Sequence, residues 1–336
     1  MTYFGNLFTS IPRGKDGSCY GKGINTDMRD TEMLLKEGIA VLDELIQGPV
    51  PKNHHSVRYL NMASAMFGIQ YDLRKDGRLE VVEGQARLTQ AKGYMENAKN
   101  LLLDPRTESA RWKLECGDKD LIWASTLGDM GVKKSQKNPD PEESLPKAVA
   151  ERSGDEEIAK YQGLFYSAYW QPFSLRSSTK WKTTLYLLPA TPESTKSGFC
   201  GTDEAAVTFS SAKKMGAKDY LVLCDSYFEE KSLAWAHRHV KDAESLDYFA
   251  VKAGTLVHEL MHMANPDVVI DEDVRTATGR LVPAQRWKRC KELAESVDDQ
   301  KTVTNAETYR LFTLGVMLVE GDWWPEGYKE NVYGCE

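Results

Sequence analysis

The sequence predicts an α+β fold: a mainly helical N-terminal half, a small sheet, and a helix that carries a metal-binding pattern. Three observations predict it. Apolar residues recur at helical spacing through much of residues 30–103. Short β-rich runs follow between 183 and 224. Beyond them, His258-Glu259-Leu260-Met261-His262 lies within an apolar helical pattern. Periods of 3.6 and 2 in separate parts of one chain point to helices and strands that are not regularly interleaved.

Residues 1–27 read as irregular, interrupted by Gly5, Pro12, Gly14, Gly17, Gly21 and Gly23. Asp30 to Gln47 is the first helical pattern and carries Met33, Leu34, Leu35, Ile39, Leu42 and Ile46. Ser56 to Tyr71 is the second, and Val82 to Leu103 is a third, more polar one. Residues 131–158 are polar and broken by Pro139 and Pro141, so they read as a linker or exposed loop. The expected regions are therefore 1–130, 131–158 and 159–336. Thr183 to Leu188, Ala206 to Phe209 and Tyr220 to Cys224 read as strands of a sheet whose edge suits an extended peptide. Two helices close the chain, one near Leu246 to Asn265 and one over Ala306 to Val319.

With 336 residues the chain can form one large domain or two medium ones. Its 41% apolar and 28% charged residues are ordinary for a globular protein. A net charge of −7 without a basic stripe argues against a nucleic-acid partner. No apolar run is long enough to span a bilayer. The opening residues Met1 to Asn6 lack the pattern of a signal peptide. The expectation is a cytoplasmic protein, or the mature form of a secreted one with an added Met. The six cysteines, Cys19, Cys116, Cys200, Cys224, Cys290 and Cys335, contain no C-x-x-C pair, which argues against a thiolate zinc site. Their even number permits three disulfides; reduced buried thiols are the alternative.

The H-E-x-x-H run is the chemical signal. Residues four apart on a helix stand one turn above each other, so His258 and His262 can both reach one ion. Glu259 lies three before His262 and can take a proton from water at the same place. With six His in 336 residues, this pattern arises by chance in on the order of one such chain in a hundred, so a metal reading outweighs coincidence. Leu256, Val257, Leu260, Met261 and Met263 give the helix an apolar face. Pro266 should end it at Asn265.

A catalytic zinc ion usually has a third protein ligand. By spacing, Asp271 is the first candidate, Asp273 the second, and Asp267 would need a tight reversal. Glu292 or Glu295, on a later helix, would be the ligand in a different class of site. His237 and His239, two apart on a helix, would face different ways and suit the surface. His54-His55 suits a loop or helix start.

Several segments resemble the deuterolysin-like aspzincin metallopeptidases, a group that includes peptidyl-Lys metalloendopeptidases. These are Tyr220 to Phe228, Thr255 to His262, and Thr304-Asn305-Ala306-Glu307-Thr308-Tyr309, which is similar to the family's N-A-D-x-Y segment. Cys200-Gly201 and Ala206-Val207-Thr208 also fit, and the match runs in order over roughly residues 180–320. The family's third ligand is an Asp in G-T-x-D-x-x-Y-G, nine residues after the second His. Asp271 stands there, without the Gly-Thr or the Tyr-Gly, and Val274 occupies the Tyr position. The resemblance implies a secreted, monomeric, disulfide-bonded zinc metalloendopeptidase with a zincin-like fold acting on peptide or protein substrates. It implies Zn2+ held by His258, His262 and Asp271, with Glu259 as general base. Tyr309 either replaces the missing tyrosine at the oxyanion or packs behind the helix. Asn305 and Glu307 would steady the histidines, and residues 1–130 would belong to the catalytic domain or to a pro-region. Trp323-Trp324 would cover an end of the site. The alternatives are a zinc-binding secreted protein on a catalytically degraded scaffold, or a processing peptidase with one narrow substrate.

Overall fold

A computed structural model describes residues 19, 21–103, 113–118, 121–129, 140–153, 156–167, 186–187, 198–200, 204–209, 220–240, 245–266, 268–276, 278–296 and 298–318. Along the chain run α1 (Ile24–Gln47), β1 (Val50–Pro51), α2 (His54–Phe67), β2 (Gln70–Leu73), β3 (Arg78–Glu83) and α3 (Gln85–Leu103). Next come β4 (Lys113–Cys116), β5 (Leu121–Ala124), α4 (Leu145–Ser153), β6 (Leu164–Ser167), β7 (Tyr186–Leu187), β8 (Ala206–Phe209), β9 (Tyr220–Leu223) and α5 (Asp225–Glu229). The rest is α6 (Leu233–His239), α7 (Lys252–Ala264), β10 (Asp273–Arg275), β11 (Leu281–Pro283), α8 (Arg286–Ala294) and α9 (Ala306–Met317). The fold is mixed α+β, as the patterning predicts. It divides into two compact units, one joining residues 24–107 to 230–336 and the other containing 108–229 together with Cys19.

The first unit is mainly helical. α7, the helix of the H-E-x-x-H run, packs against α1, α3 and α9, and α9 also packs on α2 and α8. The predicted N-terminal helices thus form the wall behind the motif. α7 and α9 approach closely at Gly254, where a Cβ would lie 3.0 Å from Leu314 and 3.3 Å from Arg310. Phe67 meets Phe312 and Tyr309 with ring centroids 5.0 and 5.7 Å apart, in tilted and edge-on contacts that suit aromatic quadrupoles.

Four sequence-predicted helices are shorter than expected: α7 starts at Lys252 rather than near Leu246, α9 ends at Met317, and α2 and α3 are cut back for local reasons. α2 begins where the Asn53 side chain accepts the Ser56 N–H. It ends at Phe67 rather than Tyr71 because Gly68 adopts φ 63°. Ala294 O would lie 2.7 Å from a Cβ there, so glycine alone fits. Released from the helix, Gln70–Leu73 pairs antiparallel with Arg78–Glu83, and β1 pairs on the other side of β3. Val82, expected to open a helix, lies in β3 instead. The missed signal was Asp76-Gly77 between alternating residues, a turn dipeptide.

The second unit holds two three-stranded sheets. In one, β4 runs parallel to β9 and β8 antiparallel to it; in the other, β6 lies between β5 and β7. β8, β9 and β7 fall within the three predicted strand runs. Disulfides join Cys19 to Cys116 and Cys200 to Cys224. α4 lies within the stretch read as a linker and buries Leu145, Ala148, Val149 and Ala150 in a small apolar cluster. Residues 131–139, Cys335 and Trp323-Trp324 lie outside the described residues. Among the described residues no helix is long and apolar enough to cross a membrane.

Candidate metal centre

α7 buries Leu256, Val257, Leu260 and Met261 completely, which turns the side bearing His258 and His262 toward the surface. The helix stops at Asn265, whose N–H and side-chain amide both donate to Met261 O. Val268 and Val269 then donate back to Asn265 O, and this turn returns the chain toward the histidines.

It returns with Asp271. Asp271 Oδ1 lies 3.2 Å from His258 Nε2 and 3.6 Å from His262 Nε2, and the two imidazole nitrogens are 3.2 Å apart. A tetrahedral zinc with bonds of about 2.0–2.1 Å needs ligand atoms about 3.3 Å apart. The circle through the three atoms has a radius of about 1.9 Å, so an ion bonded to all three would sit just off their plane with a fourth position open. The donor set of two imidazoles and one carboxylate also suits zinc. Among the described residues this is the one group of His, Cys, Asp or Glu that converges in this way. The spacing-based choice of Asp271 therefore agrees with the geometry.

The far side of each imidazole is occupied. His262 Nδ1 donates to Val269 O at 2.9 Å, which turns Nε2 toward Asp271. His258 Nδ1 faces Glu307 Oε2 at 3.4 Å. Glu307 is itself gripped by Arg310, with contacts of 2.7 and 2.6 Å, and accepts the Arg286 N–H at 3.2 Å. Burial opposes a charged carboxylate at 307, but Arg310 and the bond from His258 outweigh it and hold the pKa down to about 2. Burial likewise opposes a charged His258. The hydrogen bonds to Asp271 and Glu307 and the charge of Glu259 prevail and push it up to about 10. For Asp271, burial is outweighed by the bonds from both histidines, so its carboxyl is held far below the usual range. The centre is thus a concentrated negative site, suited to a cation. Glu259 is buried at 4% exposure, directly beside His258 in the chain.

The other candidates lie elsewhere. Asp273 sits in the β10–β11 hairpin, exposed. Glu292 pairs with Arg289, and Glu295 with Lys291 at 3.5 Å. Asp267 lies outside the described residues. Tyr309 is fully buried, and its hydroxyl donates to Val303 O at 2.6 Å, so its phenol is committed within the core. Val274, at the family's tyrosine position, is buried against Ala284 and Leu293. His239 stacks on Trp235 at 4.3 Å, and His54-His55 open α2. Glu307 contacts a histidine as expected. Asn305 does not share that role, since its side chain bonds to Glu272 N, Ala284 O and Thr308. Sequence reading missed Arg310, although Glu307 and Arg310 stand at an i,i+3 spacing that favours ion pairs. It also missed the Val269 carbonyl, which no residue type could signal. Comparison with protein-family models, with curated proteins and with solved structures finds no match to this chain.

Proposed function

We propose that the chain is a zinc-dependent metalloendopeptidase of the aspzincin type, with a zincin-like catalytic unit. The triangle of His258 Nε2, His262 Nε2 and Asp271 Oδ1 carries this reading, because its edges are those of a tetrahedral site with an open position. Zinc, when bound there, supplies a Lewis acid that lowers the pKa of water toward ~7. Glu259 is the general base: its carboxylate accepts the proton of the attacking water and passes it to the leaving amine. The Val269 carbonyl and Glu307 engage Nδ1 of His262 and His258, which directs both Nε2 atoms at the position the ion would occupy, where zinc would replace any Nε2 proton. Two disulfides support an oxidising compartment, and hence an extracellular location.

The test is Glu259→Gln, assayed on casein and a peptide library with and without chelator. The variant should bind zinc as the parent does and lose turnover by at least ~100-fold. Cleavage at the parental rate would remove Glu259 from the mechanism. A second reading, a zinc-binding protein without peptidase activity, is favoured by one observation. Val274 is packed inward and the Tyr309 hydroxyl is taken, so neither offers a phenol to an oxyanion. Zinc binding by the parent without chelator-sensitive cleavage of any peptide would select that reading.

A further inference from the structure

The third ligand stands on a loop, and loops do not by themselves hold a carboxylate to within the tolerance of a metal site. The Asp271 side chain is half exposed. Its neighbours on either side in the chain are tethered to Thr304–Ala306, and Ala284 N also donates to Glu272 O at 2.7 Å. Ile270 N donates to Thr304 O at 2.7 Å, and Ala306 N donates to Ile270 O at 3.0 Å. These two bonds form an isolated parallel bridge between Ile270 and Asn305. On the other side, Glu272 N donates to Asn305 Oδ1 at 3.2 Å, and Thr304 Oγ1 donates to Glu272 Oε1 at 2.7 Å. Asp271 is therefore suspended between two tethered neighbours.

Asn305 is itself anchored so that it can do this. Its amide Nδ2 donates to Ala284 O and Thr308 Oγ1, both at 3.0 Å, which orients Oδ1 toward the loop. It is 1% exposed, and burial makes these bonds costly to lose. Two residues on, Glu307 takes His258.

We infer that Thr304–Glu307 is a clasp that assembles the metal centre, with Asn305 as the positioning residue for Asp271 and Glu307 as that for His258. One short segment at the start of α9 thus sets both the carboxylate and the imidazole arms. The inference rests on the metal reading above and adds a division of labour between two residues that stand two apart in the chain.

The test is a double-mutant cycle on the full chain, read as zinc affinity by competition with a chromogenic chelator and as the visible spectrum of the Co2+-loaded protein. Asn305→Ala should weaken zinc binding about 10–100-fold. In an Asp271→Ala background it should change affinity less than about twofold, since the ligand it positions is gone. Glu307→Gln should weaken binding in both backgrounds. Thr304→Val, which removes one tether at nearly constant volume, should weaken binding several-fold in the parent alone, and it carries the test if Asn305→Ala does not fold. Equal losses from the 304 or 305 variants with and without Asp271 would overturn the clasp and leave a general structural role. Parental affinity in both variants would overturn it as well. If the parent binds zinc no more tightly than Asp271→Ala, the metal reading fails with it. Parental binding that depends on Asp271 but not on Asn305 or Thr304 defeats the clasp alone.

Discussion

Glu307→Gln in the metal-free protein should cost stability in a way that depends on pH. The parent carboxylate is almost wholly buried, between His258 Nδ1 and the Arg310 guanidinium. Burial alone would raise its pKa; Arg310 and His258 instead bring it to about 2, against an ordinary value of 4.5. That gap corresponds to about 3 kcal/mol of stability at neutral pH. Because the folded pKa is the depressed one, the contribution is complete above about pH 5 and is lost as pH falls toward 2. Glutamine keeps the shape but not the charge, and it takes from the buried Arg310 the carboxylate it hydrogen-bonds, a defect usually worth about 3–5 kcal/mol. Urea unfolding in chelator should show the variant weaker by about 3 kcal/mol at pH 7 and by about half as much at pH 3. A deficit that stays constant between those pH values would refute the ion-pair account. So would one below about 1 kcal/mol at pH 7.

Tyr309→Phe should destabilise by about 1 kcal/mol, because Val303 O loses its buried donor, and should leave zinc affinity unchanged; a loss of zinc binding measured by chelator competition would give the phenol a role at the centre. Arg286 holds φ 65°, a left-handed conformation that costs a side-chain-bearing residue about 1 kcal/mol or more. Arg286→Gly should therefore be neutral or stabilising by up to about 1 kcal/mol in urea unfolding, and Arg286→Val should destabilise. The Cys290 thiol is buried, donates to Ala284 O, and is pushed well above its ordinary pKa by burial. Iodoacetamide followed by peptide mapping should label Cys290 only in denaturant, and rapid labelling of the native chain would contradict its packing.

The helices, their apolar faces and the His258–His262 pair were legible in the sequence because each is a local property. His258 and His262 are four apart on one helix, and helical geometry alone brings them together. The end of α7 was legible for the same reason, since Pro266 acts on the residue beside it. Asp271 was legible only as a distance along the chain. Its selection over Asp273, Glu292 and Glu295 depended on the Asn265 turn and on backbone bonds from Thr304 and Ala306, which carry no signature in residue type. The partial truth about Asn305 and Glu307 has the same origin. Both were read as serving the histidines, but two residues at the start of one helix point to different neighbours. The sequence by itself determined that this chain carries a helix able to present two imidazoles to one ion. Only the tertiary structure decided what completes the site and what holds it, because the third ligand and its supports come from segments 9 to 45 residues beyond His262 in sequence. They are joined to the helix by long-range hydrogen bonds and close helix packing rather than by any repeat along the chain.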